Sequence, residues 1–94
     1  MTTEECQMRL LELEASRHMY GDGGYIYDAV RLWTLQRWAD ANGYDLHCIH
    51  GASTSRDRWE VWHRCTVSKK YRSRAAALEA AWTAAQAKEK TDDD

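Results

Sequence analysis

The chain has 94 residues, 44% of them apolar, with a formal charge of −2. That is the size of one small domain with one thin core, too apolar for a disordered chain. It lacks the roughly 18-residue apolar run that a membrane-spanning helix needs.

Met1-Thr2-Thr3-Glu4-Glu5 is acidic and leads into an amphipathic segment, whereas a secretory leader is basic and then strongly apolar. The expectation is a cytosolic protein. Three cysteines, Cys6, Cys48 and Cys65, are an odd and scattered set, read as reduced thiols rather than a disulfide framework. The large aromatics are five Trp and five Tyr with no Phe. Such side chains suit places where one edge is packed and the other wet.

In chain order, Thr2 followed by Glu5 fits a capping box and predicts helix 1 from about Thr3 to His18. Leu10, Leu13 and Arg17 fall on one side, and Leu11, Ala15 and His18 on the next. Gly21-Asp22-Gly23-Gly24 breaks it. Helix 2 is expected from Tyr27 or Asp28 to about Ala41, packing through Ile26, Val30 and Trp33, with Leu35, Trp38 and Ala39 widening the stripe. Asn42-Gly43 ends it, because glycine takes the left-handed cap conformation without strain. Tyr44 to His50 reads as a strand, Gly51 to Asp57 as a polar loop, and Arg58 to Thr66 as a second strand. A third short strand is suggested near Val67 to Arg72. Ser73 is a suitable N-cap for an alanine-rich last helix from Arg74 to about Lys88. Its packing stripe is Leu78, Ala81, Trp82 and Ala85. The fold class is therefore α+β: an antiparallel hairpin of two or three strands packed with three helices, in the order α-α-β-β-α. Residues 1–88 would form one domain and residues 89–94 a flexible acidic tail.

Strand alternation sorts the hairpin into two faces. Tyr44, Leu46, Cys48 and His50 join Trp59, Val61, His63 and Cys65 on the more apolar face, assigned to the helices. The other face carries Asp45, His47 and Ile49 beside Arg58, Glu60, Trp62 and Arg64. An indole flanked by Arg58 and Arg64 can stack on a base or on a partner's ring, and His47 adds a polar contact. Trp62, Arg58, Arg64 and His47 are accordingly the candidate binding residues; the competing reading makes Trp62 a core residue beneath helix 1. From Arg56 to Arg74 seven Lys/Arg stand against Asp57 and Glu60, a basic band able to attract phosphates or an acidic protein surface.

Cys48, His50, His63 and Cys65 are all zinc-ligand types on one face, but their spacing is unlike a Cys-x₂₋₄-Cys knuckle. They read as core positions, with no metal or cofactor expected. Gly21 to Gly24 matches neither the P-loop nor the dinucleotide fingerprint. No Gly-x-Ser-x-Gly setting occurs, and no spacing forces a Cys-His or paired-carboxylate arrangement. The chain reads as a binding protein rather than an enzyme.

Asp28-Ala29, Trp33, Gly43-Tyr44, Arg58-Trp59-Glu60-Val61 and Arg74-Ala75-Ala76-Ala77-Leu78 form a further pattern. Over Asp28 to Trp82 it resembles small proteins of tailed bacteriophages, of the phage ABA-sandwich type. That family often carries a Pro before the last helix, and this chain has none. The resemblance implies a phage or prophage origin, a place in the host-cell cytoplasm, and an accessory protein that binds and inhibits a host protein complex, as anti-CRISPR and other counter-defence factors do. Two alternatives stay open: a nucleotide- or nucleic-acid-binding protein using the aromatic and basic sheet face, and a structural phage component. A membrane partner is not expected, and a homodimer is left open.

Overall fold

The computed structural model describes residues 1–21, 24–49 and 57–91, with side chains to residue 88. The elements are helix α1 (Thr3–Ala15), a 3-10 turn (Arg17–Tyr20), α2 (Tyr25–Ala41), strands β1 (Tyr44–Cys48), β2 (Trp59–His63) and β3 (Thr66–Val67), and α3 (Arg74–Thr91). The fold is α+β, with three helices and a three-stranded antiparallel sheet in the order β1-β2-β3. The chain forms two compact units, Met1–Asn42 and Gly43–Asp94. Among the described residues no helix is long and apolar enough to cross a membrane.

The first unit is a helical hairpin. Thr2 caps α1 as its sequence suggests, its hydroxyl accepting from the Glu5 amide at 3.1 Å. Cys6, Leu10 and Leu13 are buried on one face, the i, i+4, i+7 spacing of a core stripe. The helix stops at Ala15 rather than His18, and the chain tightens into the 3-10 turn. Helix α2 begins at Tyr25, earlier than expected, with Asp28 in its first turn. Its buried residues are Tyr27, Thr34, Leu35, Trp38 and Ala39. The predicted stripe through Ile26, Val30 and Trp33 was the wrong face: Ile26 is 47% and Trp33 60% exposed. Two polar contacts tie α1 to α2. The Tyr27 hydroxyl donates to Glu14, and the Trp38 indole N–H to the Thr3 hydroxyl at 3.0 Å. Gly43 follows α2 at φ +76°, the conformation that makes glycine favourable just past a helix end.

The second unit packs α3 against the sheet. β1 and β2 pair with Leu46 opposite Val61 and Asp45 opposite Trp62, so both sides keep their alternation. β2 ends at His63 instead of running to Thr66. Arg64 and Cys65 form a two-residue turn, with Arg64 at φ +58°, and His63 pairs with Thr66. Beyond β3 the edge bulges. Ser68 meets Val61 and Tyr71 meets Trp59, so one more residue separates the pair on the outer side than on β2. The Ser68 hydroxyl covers the irregularity by accepting from the Val61 amide at 2.9 Å and donating to the Lys69 carbonyl. Ser73 caps α3 through the Ala76 amide at 3.1 Å. Ala77, Leu78, Ala81 and Trp82 are buried, and Ala85 is half-buried. The helix runs on to Thr91, past the end expected near Lys88.

Candidate binding surface

The sheet of the second unit has two faces of different chemistry. On the helix-facing side lie three cross-strand rows: Tyr44, His63 and Thr66; Leu46, Val61 and Ser68; Cys48, Trp59 and Tyr71. Val61 is buried among them. On the other side Trp62 stands in the central strand, between Asp45 on β1 and Val67 on β3. Trp62 is 45% and Val67 44% exposed, so Trp62 is not part of the core between α3 and the sheet. His47 follows on the same face opposite Glu60, and its ring lies 5.1 Å from that of Trp62, tilted by 58°.

The four residues singled out from the sequence meet different fates. Trp62 and His47 come together on the open face as the alternation predicts. Arg58 immediately precedes β2; its carbonyl accepts from the Ile49 amide at 2.7 Å, and its side chain is exposed. Arg64 does not belong to the alternation, because β2 ends one residue before it. It sits in the turn, near enough to Tyr44 on the helix-facing side to influence that phenol's ionisation. The pairing of an indole with a guanidinium, expected at Trp62, occurs elsewhere: Arg37 lies over the ring of Trp33 at 4.9 Å, on the exposed side of α2. Helical spacing alone did not reveal this, because α2 carries large apolar residues on both faces.

The zinc-ligand set also separates. Cys65 is not the core residue expected but is exposed, because β2 ends before it and it lies in the turn; Cys48 is half-buried, His63 stacks on Tyr44 with ring centroids 3.8 Å apart, and His50 lies outside the described residues. Among the described residues no group of three or more His, Cys, Asp or Glu gathers as a metal site. The loop from Gly51 to Arg56, the pair Asp22-Gly23 and the tail Asp92 to Asp94 likewise fall outside the described residues.

Between α3 and the sheet runs a groove of about 270 Å³, bordered by Tyr44, His63 and Tyr71 on the sheet side and by Ala80, Ala84 and Lys88 on the helix side. Burial holds the Tyr44 phenol above its ordinary range, with the positive charge of Arg64 pulling the other way. It is therefore a neutral hydroxyl at physiological pH. Sequence reasoning missed this groove because Ala81 and Ala85 read as packing positions, and spacing alone does not show that the space beside so short a side chain stays unfilled.

The chain matches no protein-family model, no curated protein and no solved structure in these comparisons.

Proposed function

We propose that this chain is a small accessory protein that binds a host protein complex through the open face of its sheet, and inhibits that complex by covering a working surface. Trp62 is the anchor, His47 supports its ring, and Arg58 contributes charge at the margin. The observation carrying this reading is the exposure of a tryptophan at the centre of a sheet face that α3 leaves uncovered. A tryptophan kept half in water is unfavourable unless it gains area elsewhere, and Trp and Arg are the residues most enriched where interfaces concentrate their energy. The phage-like pattern of the sequence supports a host target and a counter-defence role.

Nucleic acid suits this face less well. Asp45 stands directly across from Trp62, and Glu60 across from His47. Two carboxylates beside the stacking platform repel the phosphates that dominate nucleic-acid affinity.

The test pairs two measurements on Trp62→Ala: a thermal melt, and retention and inhibition of a defined bacterial complex captured by the unaltered protein. The expected result is an unshifted melt with binding weakened by about 2 kcal/mol or more. Arg58→Ala should lose less, and its loss should shrink in high salt. A collapsed melt would make Trp62 a packing residue, whose loss costs roughly 3–5 kcal/mol of folding. Undiminished binding would leave it idle.

A further inference from the structure

The groove between α3 and the sheet is independent of the Trp62 face and has its own chemistry. Its helix wall is Ala80, Ala81, Ala84 and Ala85, ending at Lys88. At 1.5 Å per residue that wall runs for ~12 Å. Protein interiors hold few voids larger than a water molecule, since each unfilled contact forfeits dispersion energy. A groove of about 270 Å³ stays open because alanine side chains are too short to reach the opposite wall. An apolar cavity of roughly 150 Å³ already admits benzene. This one has room for a fused two-ring body or a medium-length alkyl chain.

The rest of the lining states what the other end of such a molecule carries. Among the described lining residues none is acidic, and Lys88 brings a positive charge. Lys69 lies over the ring of Tyr71, 5.6 Å from its centroid, on the sheet wall. Arg64 acts on Tyr44 from the turn. The Tyr44 and Thr66 hydroxyls add neutral hydrogen-bonding groups. Stacked Tyr44 and His63 rings, 3° from parallel, give the sheet side a flat aromatic element. Cationic margins around an apolar slot complement an anion with an apolar body.

We infer that this groove is a second binding site, which takes a small carboxylate-bearing ligand with a flat or chain-like apolar body, its body against the alanine wall and its carboxylate at the Lys88 end.

The experiment titrates the full chain with 1-naphthoate and decanoate, and with the neutral analogue 1-naphthalenemethanol, by calorimetry and by NMR. Saturable one-to-one binding is expected, with shifts at His63, Tyr71 and the α3 alanine methyls. Ala84→Leu fills the groove from an exposed position. It should weaken all three probes by about tenfold or more while the melting temperature holds or rises. Lys88→Gln is a surface change that needs no repacking. It should weaken the two carboxylates about fivefold and leave the alcohol unchanged. Trp62→Ala should bind the probes as the unaltered protein does, so this site and the docking face fail separately. The inference is overturned by absent saturation at millimolar probe, by shifts confined to other residues, by unchanged affinity in folded Ala84→Leu, or by equal weakening of acid and alcohol in Lys88→Gln.

Discussion

Arg64 holds a backbone conformation that suits glycine. Its φ of +58° brings the side chain close to its own backbone, at a cost of about 1 kcal/mol for a non-glycine residue. It is tolerated because a two-residue connection between antiparallel strands needs positive φ at its first position. Arg64→Gly removes that strain but gives the unfolded chain more freedom, which offsets part of the gain. The expected net effect is a stabilisation of about 0.5 kcal/mol, seen as a melting temperature raised by a few degrees. A lowered melt would show that the arginine side chain stabilises the turn by more than its backbone costs. Sequence signals did not mark this turn, since neither Arg64 nor Cys65 is a turn former. The β-prone residues Val61, Trp62, Thr66 and Val67 on either side read as one uninterrupted strand. Only the two-residue break converts Arg64 from a neighbour of Trp62 into a hairpin tip.

Among the elements, α3 joins intrinsic helix propensity to a deliberate start. Its first turn carries no acidic residue, so the Ser73 hydroxyl bonded to the Ala76 amide is its principal described N-terminal aid. Ser73→Ala should cost about 1 kcal/mol, measured by denaturant unfolding followed by far-UV circular dichroism. An unchanged midpoint would mean that the cap contributes nothing. The helices and strands themselves were legible from caps, glycine breaks and alternation. The sheet faces followed correctly, because a period of two leaves a five-residue strand only one apolar side. The face of α2 did not. Ile26, Val30 and Trp33 satisfy helical spacing as well as Tyr27, Leu35 and Trp38 do, and only the partners of Tyr27 and Trp38 on α1 decide between them. The same ambiguity hid Trp33 as an exposed aromatic beneath Arg37.

For the molecule as a whole, the three thiols should behave as three different probes. Cys6 is fully buried and its pKa is pushed up to about 11 from an ordinary 9.0, first by burial, with Arg31 and Arg9 opposing. Cys48 is half-buried and Cys65 exposed. A buried neutral thiol binds its proton more tightly than the unfolded chain does. Its contribution to stability is therefore complete below pH 9.0 and lost as the pH rises toward about 11. Tyr27, raised chiefly by its bond to Glu14, and Tyr44, raised by burial, act in the same direction from about pH 10 upward. Urea midpoints should thus fall from pH 9 onward, and Cys6→Ala should delay the fall to the tyrosine range. A fall that begins at the same pH in Cys6→Ala would remove the thiol as its cause. At pH 8 a thiol-reactive disulfide reagent should modify Cys65 rapidly and Cys6 only on unfolding.

The placement of the tryptophans has an optical consequence. Trp38 in the first unit is fully buried and Trp82 in the second is 4% exposed, whereas Trp33 and Trp62 face water. Each unit thus holds one buried fluorophore, with Trp59 half-buried in the second. Variants keeping only Trp38 or only Trp82 would emit in the blue and resist quenching by iodide, and would turn red and quenchable when their own unit opens. Two such single-dye chains, melted side by side, would show whether the helical hairpin and the sheet-and-helix unit come apart at one temperature or at two.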